Sequence, residues 1–338
     1  DTLEVAGAIT ARGGAGDGIG ADGADGRVKL SATAGAVTQA DGAHAIDAGL
    51  LLVNALNTSS LLDTGNMTDR VAAQVTGVGE NFVYRSGGDF VIGGGGEDGI
   101  NGITTQGGSI DLDGSDVAVG ATQAIISKGG NFSALGVRSF DSSGVTINTA
   151  GDVTYAGGVY KDGGDIDITT TANGGAINTG TLIASADVNN AGDAASGQIT
   201  LNADGALTVR STTAQGKGSG SGGNVDLTGA GINIAGSADT SSNAAAGGNI
   251  NLNGPVVIVG ADRVLATGSG AGSISFSGTV DSDAPGTPRG LSMTAGSGDI
   301  TVTGAAGNTA ALGAINIVSA KDVAFNGSVD AASLTQQA

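Results

Sequence analysis

A small residue, then glycine, then a polar-apolar-polar-apolar run recurs along this chain. It reads Gly107-Gly108-Ser109-Ile110-Asp111-Leu112, Gly163-Gly164-Asp165-Ile166-Asp167-Ile168 and Ser196-Gly197-Gln198-Ile199-Thr200-Leu201. It continues through Gly222-Gly223-Asn224-Val225-Asp226-Leu227, Gly247-Gly248-Asn249-Ile250-Asn251-Leu252, Ala271-Gly272-Ser273-Ile274-Ser275-Phe276 and Ser297-Gly298-Asp299-Ile300-Thr301-Val302. The second glycine falls at 197, 223, 248, 272 and 298, at intervals of 26, 25, 24 and 26 residues. Earlier intervals range from 20 to 34, as inserted loops would produce. Upstream, Gly87-Gly88-Asp89-Phe90-Val91-Ile92 and Gly26-Arg27-Val28-Lys29-Leu30 read as further copies.

Alternation at period two marks half-buried strands, and short strands joined by glycine-rich corners every ~25 residues describe a solenoid coil. A single coil buries a few apolar side chains worth about 1.5–3 kcal/mol each, against about 1–2 kcal/mol per ordered backbone residue. It folds only when stacked on other coils, at about 4.8 Å. The expected fold is all-β, a right-handed parallel β-helix with about 25 residues per coil and about a dozen coils, spanning 1–338 as one segment. Val225, Ile250, Ile274 and Ile300 are expected to form one inward ladder, and Leu227, Leu252, Phe276 and Val302 its neighbour. Phe325 is expected in the core as well. Corner glycines are expected to supply positive φ. Outward Asn and Asp either form ladders or face water. Residues 46–84 break the rhythm, with Leu50-Leu51-Leu52-Val53, Leu56, Leu61 and Leu62. They read as irregular coils, as a short helix, or as an extra-helical insertion that carries binding.

Composition agrees with strands and corners. Glycine supplies 65 of 338 residues, far above the usual ~7%, and does not occupy every third position as collagen requires. Glutamate occurs only at Glu4, Glu80 and Glu97, which disfavours exposed helical faces. The regular apolar alternation argues against disorder. A net charge of −19 argues against a nucleic-acid partner and for a self-repelling, soluble surface. Without cysteine there is no disulfide framework. No run approaches 18 apolar residues, so no transmembrane helix is expected, and no signal-peptide pattern stands at Asp1.

Motifs with chemistry are few. His44 is the single histidine; it reads as a loop residue, because no cysteine or Gly-x-Ser-x-Gly elbow accompanies it. Gly93-Gly94-Gly95-Gly96-Glu97-Asp98-Gly99-Ile100-Asn101 matches the calcium nonapeptide once, which makes Asp98 a weak calcium candidate, whereas such sites need tandem copies. Gly13–Ile19 comes one position short of a second copy, and Asp17, Asp22 and Asp25 read first as turn residues. Asp111/Asp113 and Asp165/Asp167 point outward about two coils apart; a shared face, which the sequence does not fix, would give the kind of carboxylate cluster that β-helix polysaccharide lyases and hydrolases require. Tyr84, Tyr155 and Tyr160 read as core or corner residues rather than a sugar-stacking platform.

The run Ile232-Asn233-Ile234 through Ser237-Ala238-Asp239-Thr240-Ser241 into Gly247–Leu252 resembles the coil of filamentous-haemagglutinin-like exoproteins, the adhesins of two-partner secretion. Val323–Val329 into Ala332–Gln336 also resembles giant bacterial β-strand-repeat proteins. The likeness covers 88–338 well and 1–87 weakly, and the amino-terminal secretion domain of the family is not recognisable. It implies export to the bacterial cell surface or extracellular space and a rod that attaches to cell-surface glycans, proteins or matrix, or takes part in biofilm; it transfers no catalytic residue. The chain ends in mid-pattern without an evident polar cap, so a fragment of a longer rod, or a subunit that self-associates end to end or laterally, is expected. The expected role is a non-catalytic structural and adhesive module. The alternatives are a self-assembling extracellular filament or sheath subunit and a β-helix polysaccharide lyase or hydrolase.

Overall fold

The computed structural model describes residues 1–11, 26–94, 96–152, 154, 161–171, 174–187, 189 and 191–337. They form a parallel β-helix. The first sheet contains thirteen strands that follow one another in chain order, from Leu3–Val5 to Val323–Phe325. At about 4.8 Å per coil this stack is about 60 Å long. The second sheet comprises two ladders that meet at a corner. Strands such as Ile46–Ala55, Ser139–Asn148 and Ala206–Thr213 run through that corner and belong to both ladders. Each such coil therefore has three sides. No helix among the described residues is long and apolar enough to cross a membrane.

The inward ladders form as expected. Val225 pairs with Ile250, Ile250 with Ile274 and Ile274 with Ile300, while Leu227, Leu252, Phe276 and Val302 run alongside. All eight are buried. The first column extends upstream through Ile199, Ile166, Phe132, Ile110 and Phe82. Phe325 lies at the edge of this core, half-buried.

The column of second glycines has a different cause from the one expected. Gly107 and Gly129, first members of their doublets, do have φ of 86° and 98°. The second glycines 108, 130, 164, 197, 223, 248, 272 and 298 all lie outside the left-handed region. Their requirement is space. A Cβ on Gly130, Gly164, Gly197, Gly223 or Gly248 would sit 1.9–2.2 Å from the carbonyl oxygen of the column glycine one coil earlier. Backbones touch here, and a methyl group would force the coils apart.

In many coils the polar residue at the start of the first-sheet strand closes the same corner. Asn81 Oδ1 accepts the Ser109 amide at 2.7 Å, Asn131 Oδ1 that of Asp165 at 2.9 Å and Asp165 Oδ1 that of Gln198 at 2.8 Å. Asn224 and Asn249 do the same for Asn249 and Ser273, at 2.8 and 2.9 Å. Each side chain thus satisfies an amide at the start of the next strand, which would otherwise lack a partner.

Two upstream motifs belong to other sides of the coil. Phe90–Ile92 pairs with Val117–Val119, and Arg27–Ala32 with Leu50–Ala55, both in the second sheet. In the coil containing Phe90, the first-sheet strand is Phe82–Arg85, entered from Asn81. Any glycine corner followed by alternation produces the same pattern, so the motif alone does not specify which corner it is.

Residues 46–84 contribute Ile46–Ala55, Ser59–Leu61, Met67–Val78 and Phe82–Arg85, stacked in both sheets without a helix. The apolar run has a local reason. Leu51 and Val53 point into the main core, while Leu50 and Leu52 join Ala72 and Ile100 in a small second cluster. The segment after Ile92 folds over the outer side of these strands, so they are buried on both faces and lose the polar alternation.

Candidate functional site

The third side of the coil ends in different ways along the rod. In two coils only three residues, 127–129 and 295–297, separate the end of this side from the column glycine. Between them the connection lengthens to 149–163, 184–196, 214–222, 240–247 and 267–271, or 15, 13, 9, 8 and 5 residues. The described residues of these successive insertions leave the rod at one corner and build a projection. Their arms continue the stack. Ala184 and Ala186 amides donate to Thr213 and Gln215 carbonyls at 2.8 and 2.9 Å, and Ala214 and Gly216 to Asp239 and Ser241 at 2.8 and 3.0 Å. Returning arms pair likewise, Gly163 to Ala195, Ser196 to Ser221 and Gly222 to Ala246, at 2.9–3.1 Å. Column glycines 164, 197, 223 and 248 close the base by donating to the carbonyls of 149, 184, 214 and 240.

Buried hydroxyls brace this base. Thr149 Oγ1 donates to the Gly164 carbonyl at 2.5 Å, Thr240 to Gly248 at 2.6 Å and Thr267 to Gly272 at 2.7 Å. Thr105 and Ser127 make the same bond where there is no projection. All five are fully buried.

A groove of about 310 Å³ opens along the outgoing arms. Ala186 and Gly216 line it with small residues; Ser185, Gln215, Ser241 and Asn243 line it with polar ones, together with Lys217. Ser185, Gln215 and Ser241 stand two residues beyond the paired positions Ile183, Thr213 and Asp239, and so occupy equivalent places in three successive coils. Gln215 Nε2 donates to Asp239 Oδ2 at 2.7 Å and to Ser241 Oγ at 3.2 Å, and the Gln215 amide donates to Ser185 Oγ at 3.1 Å. At the return, Asp193 Oδ1 accepts the Ser219 amide at 2.9 Å. Hydrogen bonds from Ser219 hold that carboxyl below the usual carboxylate range.

The residues singled out from the sequence lie elsewhere. Asp98, at φ 51°, faces two cations, Arg27 at 3.2 Å and Lys29 at 3.3 Å. It pins the covering segment to the strand beneath. Among the described residues no group of three His, Cys, Asp or Glu side chains is placed to hold a metal ion. Gly13–Ile19, Asp17, Asp22, Asp25, Tyr155 and Tyr160 lie outside the described residues. Asp111 and Asp167 do share an outward column, with Ser133 between them. Asp111 is held by Arg85 at 2.5 Å and by the Ser133 hydroxyl at 2.9 Å. Desolvation raises the Asp167 carboxyl above its ordinary range, against a hydrogen bond from Thr169. His44 is half-buried; its amide donates to Asp63 Oδ2 at 2.7 Å and its carbonyl accepts from Gln39 at 2.7 Å. Tyr84 is fully buried, edge-on to Phe90 at 5.1 Å.

The groove is absent from the sequence reading, which placed any binding protrusion at 46–84. Its one signal there is the lengthened spacing, 34 and 33 residues, between Gly130, Gly164 and Gly197. No family model matches the chain, and no curated protein or solved structure matches it.

Proposed function

We propose that this chain is a non-catalytic, rod-forming segment of a secreted bacterial surface protein and that it serves attachment to cells or extracellular matrix. The observation that carries the reading is the side projection on a stack of parallel coils. A parallel β-helix whose strands pair coil upon coil is a stiff spacer, and the projection is where backbone leaves that scaffold to present side chains. Loops held on a rigid scaffold are the usual place for recognition. The outward carboxylates of Asp111 and Asp116 are tied to Arg85 and Arg138, so this part of the acidic surface is occupied by structural pairing. A surface-directed function also suits a net charge of −19, which keeps neighbouring rods apart.

Binding of the labelled full chain to a panel of cells and immobilised matrix components tests this. Saturable, selective binding without turnover of acidic polysaccharides is expected. Absence of binding across the panel, or release of unsaturated or reducing ends from a polysaccharide, would overturn it.

A further inference from the structure

We propose that the groove on the projection is a binding site for an uncharged glycan chain; the proposal rests on the attachment reading and names its ligand. Beside Lys217, the groove presents neutral groups that both donate and accept. Ser185 and Ser241 use their oxygens as acceptors for the amide and side chain of Gln215, which leaves their hydroxyl hydrogens directed to other partners. Gln215 commits its Nε2 to Asp239 and Ser241, which fixes the rotamer and leaves Oε1 as an acceptor. Asn243 is exposed at the same wall. Sugar hydroxyls match such groups, because each can donate and accept at once.

Three features select against other ligands. First, the main-chain groups of the arms are already paired between coils, Ala186 with Gln215 and Gly216 with Ser241. A peptide therefore finds no free strand edge to extend. Second, among the described residues the lining has small side chains and no aromatic or large aliphatic one, so an apolar ligand gains little from them. Third, Asp239 stands against the lining through its bond with Gln215, on a chain of net charge −19, and Lys217 is the lining's one cation among the described residues. The net field of the chain disfavours sulfated or uronic-acid polymers. The volume, about 310 Å³, stands at the small end of the ~300–1,000 Å³ typical of ligand sites, and the groove is open, so it suits a short stretch of a longer chain. Equivalent residues one coil apart offer a linear polymer a repeating set of contacts along the rod.

Calorimetric titration of the full chain with neutral hexose hexasaccharides of α and β linkage, and with sulfated and uronic-acid hexasaccharides, tests the proposal. Binding to a neutral member is expected, unchanged between low and high salt. Gln215→Ala and, separately, Asn243→Ala should each weaken it about five- to tenfold, the loss of one hydrogen bond. Asn243 is exposed, so that variant keeps the fold; an unchanged unfolding midpoint checks both. Preference for the sulfated members, or neutral binding indifferent to both substitutions, overturns the site. If the chain adheres to cells while no neutral glycan binds, the groove proposal falls and the attachment reading stands. If neither binds, both fall.

Discussion

The α-carbon of Gly223 faces the carbonyl oxygen of Gly197 so closely that a Cβ at position 223 would lie 1.9 Å from that oxygen. Both partners are backbone, so neither can move aside without shifting a coil. Gly223→Ala must shift two coils apart and is expected to destabilise by about 3 kcal/mol or more, the range of overpacked cores. Gly231→Ala is the control: nothing lies within 4 Å of a Cβ there and its φ is not left-handed. That change should be neutral or stabilising by about 0.4–1 kcal/mol through the unfolded chain. Urea unfolding midpoints of the two variants decide the matter; equal losses would show that close approach is not what glycine provides.

Substitution of Thr by Val has opposite signs at two buried positions. Thr240 Oγ1 donates to the Gly248 carbonyl at 2.6 Å, so Thr240→Val leaves a buried acceptor without its hydroxyl and should cost about 1–3 kcal/mol. Thr212 stands in an inward column between Leu182 and Ala238, and its hydroxyl has no partner. Thr212→Val keeps the shape and removes a buried polar atom, for an expected gain of about 1 kcal/mol. Thermal melting of both variants gives the signs; a loss at 212 would mean that the hydroxyl is satisfied by water.

These two threonines also show how far the chain can be read in advance. Ladders such as Val225–Ile250–Ile274–Ile300 were legible because alternation and a recurring glycine both report the same period. Phase was less legible: Phe90 and Val28 follow glycine corners of the same appearance and yet sit in the second sheet. Thr240 reads as an ordinary polar residue, since nothing local distinguishes a hydroxyl that points inward to a carbonyl from one that faces water. The groove was less visible still. Ser185, Gln215 and Ser241 have no chemical signature, and only stacking of successive insertions makes them neighbours.

The segment over Leu50 and Leu52 should be held mainly by Ile100. Ile100→Ala removes most of its buried contact and is expected to cost about 2–4 kcal/mol locally. Asp98→Asn removes two part-exposed ion pairs and should cost less than about 1 kcal/mol, vanishing at high salt. Hydrogen exchange of amides 93–101 separates the two contributions. Added calcium should leave that exchange unchanged, because Arg27 and Lys29 already compensate the Asp98 carboxylate; protection that grows with calcium would make the loop a cation site after all.

Tyr84 provides the pH prediction. Burial pushes its phenol up to about 12 from 10.0, against a hydrogen bond with Thr68. The oxygens of Tyr84 and Thr68 are 2.7 Å apart. A raised value means that the folded chain holds the proton more tightly than the unfolded one. The associated stability is complete below pH ~10 and is lost as pH rises toward ~12, at about 1.4 kcal/mol per pH unit. Tyr84→Phe should therefore lose stability at neutral pH, through the broken Thr68 contact, yet fall less steeply than the wild type between pH 10 and 12. Unfolding midpoints of the two proteins across that window, with phenolate absorbance followed in parallel, are the measurement. Parallel decline of both would mean that Tyr84 ionises in the folded rod as it does in the unfolded chain, and that the contact with Phe90 does not exclude water from its hydroxyl.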